Sequence, residues 1–141
     1  MNTFVLDCSV AMTWCFADEA RSDCDELQTW LANDTSAVVP AHWAVEVANA
    51  ILVGERHARL PAAVRAKFIA MLQGFDIATD PETRPRAFAE ALSLARQYRL
   101  SVYDALYLEL ALRLSIPLAT LDADLRQAAQ ESGVALLPAK I

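Results

Sequence analysis

The fold is first recognisable in residues 3–10, TFVLDCSV, where a short apolar run ends in an acid. The apolar run predicts a buried strand, and Ser9 is a good N-cap for a helix that starts near Val10. A similar run, PLATLD, occupies residues 117–122 and also ends in an acid, Asp122. Each stretch predicts a strand whose carboxyl end carries a carboxylate and leads into a helix.

Strands alternate with helices along the rest of the chain. Further strands are predicted at 37–40, 75–78 and 134–137 from apolar runs bounded by turn-forming residues. Helices are predicted at 21–33, 42–56, 61–74, 85–98, 101–114 and 122–131 from apolar spacing, from Pro61 in a first turn and from a Ser101 cap. This alternation predicts an α/β fold, a three-layer α/β/α arrangement whose mostly parallel sheet has about five short strands.

Size and composition fit one compact domain over residues 1–141, with 55% hydrophobic residues to fill its core. Charged residues interrupt every apolar run well before the roughly 20 residues that cross a bilayer. The first 20 residues contain no Lys or Arg, so no secretory signal is recognised and we expect a cytoplasmic protein. Cys8, Cys15 and Cys24 lack metal-site spacing and are expected to be buried thiols.

Four acids are the candidate site: Asp7, Glu46, Asp104 and Asp122. Asp7 and Asp122 follow strands, and open α/β sheets bind ligands outside the carboxyl ends of their strands. Carboxylates that converge at 5 Å repel by about 3 kcal/mol per pair at an effective dielectric near 20. A divalent cation relieves this repulsion, and Mg²⁺ or Mn²⁺ prefers carboxylate and water oxygens.

Each acid also has a structural interpretation. Asp7 and Asp122 are good helix caps, Asp104 fits the acid of a capping box that begins at Ser101, and Glu46 could lie on a solvated helix face. Glu46 is the hardest to explain in this way, because it interrupts an apolar stretch. His42 and His57 lie outside the acid motifs and are not expected to act as general bases.

Other classes lack their required residues. An aspartyl phosphatase needs a second Asp where Ser9 stands, and a phosphate-receiving signalling domain needs a Lys near the last strand, where only Lys140 is present. The three glycines cannot form a phosphate-binding fingerprint. The net charge of −6, or −2 without the four acids, predicts only modest affinity for bare nucleic acid.

Four segments stand out together: 4–11 (FVLDCSVA), 46–50 (EVANA), 98–111 (YRLSVYDALYLELA) and 117–122 (PLATLD). They resemble the PIN-domain ribonucleases, and within them the VapC-type toxins of toxin–antitoxin pairs. The resemblance covers nearly the whole chain and implies a PIN-like fold and an endoribonuclease dependent on Mg²⁺ or Mn²⁺. Its metal ligands would be Asp7, Glu46, Asp104 and Asp122, with Ser9 and Thr120 as hydroxyl residues that position the substrate.

The resemblance further implies metal-assisted hydrolysis, in which Asp7 and Asp104 hold the principal ion while Glu46 and Asp122 orient water and a second ion if one binds. It implies a homodimer and inhibition by a cognate antitoxin protein. The alternative function is a catalytically inactive PIN-fold module that binds protein, and the RNA target is left open. Asp124 competes with Asp122 for the fourth position.

Two surface features are predicted. Arginines outside the acid cluster would bind the RNA backbone, and the candidates are Arg56, Arg59, Arg65 and Arg99. Large apolar side chains are expected to be exposed near Trp14, Phe16 and Trp30, where an antitoxin helix would dock.

Overall fold

The computed structural model describes residues 3–141 and contains a five-stranded sheet. Its strand order is β3-β2-β1-β4-β5, and all four pairings are parallel. The predicted α/β architecture, with short parallel strands flanked by helices, is confirmed. The strands are β1 (Thr3–Leu6), β2 (Ser36–Val39), β3 (Ile77–Thr79), β4 (Leu118–Ala119) and β5 (Leu136–Leu137).

Helices connect each strand to the next. A π-helical segment, Ala87–Ala91, joins α5 to α6, and a single 3₁₀ turn, Ala17–Glu19, lies between α1 and α2. No helix within residues 3–141 is both long and apolar enough to cross a membrane. The helices are α1 (Cys8–Thr13), α2 (Ser22–Leu31), α3 (Trp43–Arg56), α4 (Ala62–Gly74), α5 (Thr83–Arg86), α6 (Leu92–Tyr98), α7 (Val102–Leu114) and α8 (Ala123–Ser132).

The core is centred on β1 and α7. Phe4, Val5 and Leu6 are fully buried, as expected for a central parallel strand that is covered on both faces. Helix α7 is buried on every residue from 105 to 111, which explains why its sequence is a nearly continuous apolar run. Asp7 therefore follows a fully buried strand segment, and Asp104 precedes the buried part of α7.

The predicted helix caps differ from the structure at two places. Helix α1 begins at Cys8, so Ser9 lies in its first turn and its hydroxyl donates to Asp7 rather than capping a later helix. Pro61 is the N-cap residue of α4 and not its first helical residue. The Ser101 cap of α7 is confirmed, because its hydroxyl accepts a hydrogen bond from the Asp104 backbone N–H at 3.1 Å.

The expected exposure of Trp14, Phe16 and Trp30 is wrong. Phe16 is 4% exposed, since α3 approaches so closely at Gly54 that a Cβ there would lie 2.4 Å from the Phe16 ring. Trp14 and Trp30 are half-buried against the core, and the Trp14 indole donates to the Cys24 carbonyl at 2.9 Å. The N-terminal helices therefore pack their apolar faces against the core.

The three cysteines are free thiols, with Cys15 and Cys24 buried and Cys8 half-buried. Burial, together with the smaller effects of the neighbouring negative charges of Asp7 and Glu46, raises the pKa of Cys8 to about 12. Thiols held in this way are protonated and unreactive at neutral pH.

Candidate metal centre at the carboxyl edge of the sheet

Asp7 directly follows β1 and is 5% exposed. Its Oδ2 atom accepts hydrogen bonds from the hydroxyls of Ser9 and Thr120, each at 2.7 Å. The same two hydroxyls accept hydrogen bonds from the backbone N–H groups of Leu121, at 3.0 Å, and Asp122, at 3.1 Å. The segment after β4 is thereby fastened to the end of β1, and one Asp7 oxygen is held in a fixed position.

This edge is the topological switch point of the sheet. Strands β1 and β4 are neighbours, but the connections from β1 lead towards β2 and β3 on one side, whereas β5 lies on the other. Parallel sheets bind ligands in the crevice that forms at such a point. Asp7 and Asp122 come from the two strands that border it.

Asp122 is the N-cap residue of α8. One carboxylate oxygen, Oδ1, accepts a hydrogen bond from the Leu125 backbone N–H at 2.9 Å. The side chain is exposed, and its second oxygen has no hydrogen bond within residues 3–141. The capping interpretation is correct for Asp122, and it leaves one oxygen facing outwards for another ligand.

Glu46 lies in the first turn of α3 and is tied to α7. The buried hydroxyl of Tyr107 donates to Glu46 Oε1 in a short hydrogen bond, and His42 Nε2 lies 3.5 Å from the same oxygen. His42 Nε2 is also 3.1 Å from the Tyr103 carbonyl oxygen. Two contacts to one oxygen orient the carboxylate and leave Oε2 as the atom available for other partners.

Tyr107 and His42 are site residues that the sequence interpretation missed. Tyr107 stands three residues after Asp104 and His42 four before Glu46, spacings that place each pair on one side of a helix. That periodicity was the available signal. The contact between the two helices joins residues 61 positions apart, so it could not be read from local pattern.

The four acids influence one another electrostatically. The pKa of Asp104 is raised to about 6, first by burial and then by the negative charges of Asp7, Asp122 and Glu46. Burial also raises the pKa of Asp7, against the lowering effect of its Ser9 and Thr120 hydrogen bonds. The four predicted carboxylates therefore lie close enough for their charges to interact, and we call them the acid cluster.

Asp124 faces elsewhere. It lies in the first turn of α8 and lines a separate cavity with Gln97, Arg99 and Gln127. It is not among the charges that shift the pKa of Asp7 or Asp104. Asp122 is accordingly the member of this pair that belongs to the cluster.

The cluster has no cationic side chain of its own. Within residues 3–141, no Lys or Arg forms an ion pair with any of the four acids, and only His42 approaches Glu46. A second pair of buried acids provides the contrast: Asp80 and Glu109 are held by Arg113 at 2.6 and 2.7 Å. Buried carboxylates are normally paired or bind a metal, so the unpaired cluster is suited to an external cation.

Comparison with known protein families identifies the domain. The PIN domain profile matches residues 4–131. The chain belongs to the PIN domain family. PIN domains are generally nucleases that act on RNA, and they usually depend on a divalent metal.

A solved structure has a similar fold. The crystal structure of PAE2754 from Pyrobaculum aerophilum matches with a TM-score of 0.71 at 18% identity, over 97% of this chain and 90% of that chain. At this identity the match shows the fold alone. No curated protein matches the sequence.

The donor chemistry of this PIN domain fits Mg²⁺ or Mn²⁺. The candidate ligands are all carboxylates, which hard cations prefer. No three acidic, His or Cys side chains within residues 3–141 converge tightly enough to enclose an ion by themselves. Mg²⁺ does not require this, because it usually keeps several waters and uses only one or two carboxylates.

Two of the arginines that were predicted to bind the RNA backbone form ion pairs with acids in this PIN domain. Arg59 pairs with Asp18 and Glu19 and lies 4.3 Å from the centre of the Phe16 ring. Arg65 pairs with Glu55 at 2.6 Å. Arg56 and Arg99 form no ion pair within residues 3–141, so those two stay as candidates.

Proposed function

We propose that this protein is an endoribonuclease that hydrolyses phosphodiester bonds in RNA with Mg²⁺ or Mn²⁺, and that it is the toxin of a type II toxin–antitoxin pair. The observation that carries the proposal is the unpaired cluster of Asp7, Glu46, Asp104 and Asp122 at the switch point of a parallel sheet. A structural ion-pair network would include a cation, as the Arg113 network does.

Each carboxylate has a part in this proposal. Asp7, which is buried, and Asp104, which is half-buried, would hold the principal ion, because neither has a cationic partner within residues 3–141. Glu46 Oε2 and the free oxygen of Asp122 would orient water. A bound divalent ion lowers the pKa of its water and stabilises charge on the phosphate.

Ser9 and Thr120 support the site through Asp7. Both hydroxyl hydrogens are directed to Asp7 Oδ2, which keeps the carboxylate in one rotamer and partly offsets the cost of burying it. Their proposed role in positioning the substrate is compatible with these contacts, since a hydroxyl that donates to Asp7 can also accept a hydrogen bond from water.

The test is cleavage of RNA by purified protein with Mg²⁺, with Mn²⁺ and with EDTA. Asp7→Asn and Asp104→Asn each remove a ligand charge, and we expect each to abolish cleavage in the presence of metal. Asp34→Asn is the matched control, because Asp34 is an exposed acid next to the amino end of β2. It should cut RNA as the parent does.

Three results would contradict parts of this proposal. If the Asn variants cut RNA at the parental rate, the assignment of the active site to these acids is wrong. If the protein cuts RNA in EDTA, cleavage does not depend on a divalent metal. No cleavage of any RNA with either metal would favour the alternative, a catalytically inactive PIN module that binds protein.

The remaining parts of the proposal concern the protein's partners and location. We propose a cytoplasmic homodimer, one PIN-like domain over residues 1–141, whose activity is blocked by a small antitoxin encoded beside it. A basic side chain of the antitoxin would neutralise the acid cluster in place of the metal. If no inhibitor is encoded nearby and none is recovered by pull-down, the toxin role fails while the nuclease proposal stands.

A further inference from the structure

Arg126 is a buried cation without an acidic partner. It lies on α8, one turn after the N-cap residue Asp122, and it is 7% exposed. Within residues 3–141 its guanidinium forms no ion pair, and its hydrogen bonds go to two backbone carbonyl oxygens. Burying a charged group without a counter-charge is costly, so the groups that Arg126 binds are the place to look for its role.

The charges around Arg126 do not neutralise it. Burial lowers its pKa, and the positive charge of Arg21 acts in the same direction. The negative charge of Asp23 opposes this, but Asp23 is itself paired with Arg21 at 2.8 Å. Arg126 is not among the charges that shift the pKa of Asp7 or Asp104. An effect of Arg126 on the acid cluster must therefore pass through the groups that it holds.

The guanidinium joins the ends of two neighbouring strands. Nη1 donates to the Thr120 carbonyl oxygen at 2.8 Å, and Nη2 donates to the Pro138 carbonyl oxygen at 2.7 Å. Thr120 directly follows β4, and Pro138 directly follows β5. Each strand has only two residues, and the Thr120 N–H donates to the Leu137 carbonyl at 3.1 Å. The planar guanidinium extends this short pairing and fixes the two carbonyls relative to each other.

Thr120, which Arg126 holds, is itself a support of the acid cluster. Its hydroxyl donates to Asp7 Oδ2 at 2.7 Å and accepts from the Asp122 N–H at 3.1 Å. The Arg126 backbone N–H donates to the Asp122 carbonyl at 2.9 Å. Arg126 is thus bonded to both ends of the segment 120–122, which connects one acid of the cluster to another.

We propose that Arg126 is a positioning residue: it fixes the spacing of Asp7 and Asp122 through Thr120, and thereby makes the acid cluster favour Mg²⁺ over Ca²⁺. The proposal rests on the proposed function, because it takes a divalent cation to bind at the acid cluster. Mg²⁺ requires near-ideal octahedral geometry, whereas Ca²⁺ accepts a variable number of oxygens in flexible arrangements. Carboxylates that can shift relative to each other should therefore lose more affinity for Mg²⁺ than for Ca²⁺.

The first measurement is metal binding in the absence of RNA. Electron paramagnetic resonance counts free Mn²⁺ during a titration of the protein, and Mg²⁺ and Ca²⁺ are then measured by the Mn²⁺ that each displaces. Arg126→Met keeps an unbranched side chain and removes both donors. We expect about tenfold weaker binding of Mn²⁺ and Mg²⁺, as for other residues that support metal ligands, and a smaller loss for Ca²⁺.

The second measurement needs no metal. The backbone N–H groups of Leu121 and Asp122 are bound by the hydroxyls of Ser9 and Thr120, so their hydrogen exchange reports on this segment. In EDTA, Arg126→Met should speed the exchange of these two amides more than that of the amides in β1. A residue that only stabilised the fold would speed both sets alike.

Two variants serve as controls for folding. Phe68→Leu is the matched loss of packing, because Phe68 is 3% exposed and lies on α4, which carries none of the four acids. It should lower stability and leave the Mn²⁺ affinity at the parental value. Arg126→Lys covers the case in which Arg126→Met does not fold. It keeps the positive charge without the planar fork and should weaken Mn²⁺ binding about threefold.

The path through Thr120 is tested by combining substitutions. Thr120→Val removes the hydroxyl that donates to Asp7. If Arg126 acts through Thr120, the double variant should bind Mn²⁺ more tightly than the product of the two single losses predicts. Losses that multiply without interaction would show that the two residues act independently, and the proposed path would be wrong.

The proposal is overturned if a folded Arg126 variant binds Mn²⁺ as the parent does, or if it weakens Mg²⁺ and Ca²⁺ equally. It is also overturned if amide exchange rises equally throughout the protein. If the parent cuts RNA with metal while the Arg126 variants bind Mn²⁺ normally, only the role assigned to Arg126 is wrong. If the parent itself binds no Mn²⁺, the proposed metal centre is wrong and the metal preference with it, whereas the exchange rates still show whether Arg126 holds the segment 120–122.

Discussion

At the scale of single residues, the partner of a carboxylate decides its role. Asp7 and Asp80 both follow a strand of the sheet and both are buried, yet Asp80 is neutralised by Arg113 and Asp7 is bound only by hydroxyls. Sequence pattern selected Asp7 and not Asp80 because the motifs around Asp7 are specific. It missed Tyr107 because no local rule reports which hydroxyl reaches Glu46 across the fold.

The raised pKa of Asp104, about 6, gives a prediction about stability and pH in the absence of metal. Between its ordinary value of 3.8 and this value, the folded protein holds a proton that the unfolded chain releases. The contribution of Asp104 to stability is therefore favourable at low pH and is lost as the pH rises through about 6. Replacing Asp104 with Asn should remove that loss.

Urea unfolding in EDTA at pH 5 and at pH 7 measures the effect. The gain in unfolding free energy on Asp104→Asn should be larger at pH 7 than at pH 5 by up to about 1 kcal/mol, since solvent screening of this half-buried group reduces the full linkage value. Asp34→Asn should show no such difference between the two pH values. An Asp104→Asn gain that is equal at both would mean that the carboxyl is not strained by its neighbours.

At the scale of elements, the order and type of the strands and helices could be predicted, but not all of their ends. Strand β4 has only two residues where five were expected, because Asp7 and the segment after β4 are joined by side-chain hydroxyls rather than by further sheet pairing. Helix α1 starts two residues early because Asp7, not Ser9, is its N-cap residue. Such differences depend on tertiary contacts that a local pattern does not contain.

Helix α8 provides a test of which acid serves the site, Asp122 or Asp124. Asp122 caps the helix through Oδ1 and shifts the pKa of Asp7 and Asp104, whereas Asp124 lines another cavity. Asn caps a helix about as well as Asp does, so Asp122→Asn should keep its stability and lose most RNA cleavage. Asp124→Asn removes a negative charge near the positive end of the helix dipole and should cost about 0.3–1 kcal/mol with little loss of cleavage.

Metal titrations of cleavage by the two variants, together with their thermal melts, distinguish these expectations. The Asn variants are a matched pair, with the same charge change two residues apart on one helix. If Asp124→Asn loses more cleavage activity than Asp122→Asn, Asp124 is the fourth acid of the site.

At the scale of the whole molecule, the sheet order brings together acids that are far apart in sequence. The net charge of −6 repels RNA, and the unpaired acid cluster destabilises the fold. A bound cation would reduce both effects. The fold class was predictable because alternation of strands and helices permits few topologies, while the inward packing of Phe16 was not, since it depends on the absent Cβ of Gly54.

The last prediction concerns the stabilisation of the folded protein by a bound metal ion. A ligand that binds only the folded state stabilises it by RT ln(1 + [L]/Kd), which is about 2.7 kcal/mol at 100 times Kd. Mg²⁺ or Mn²⁺ should therefore raise the melting temperature of the parent by several degrees, and NaCl of equal ionic strength should not. Asp7→Asn should melt at or above the parent in EDTA, because a buried charge is gone, and should gain much less from metal. The Asp34→Asn control should gain as much as the parent. If Asp7→Asn and the parent gain equally, the ion binds elsewhere, and the acid cluster must be stabilised by something other than a metal.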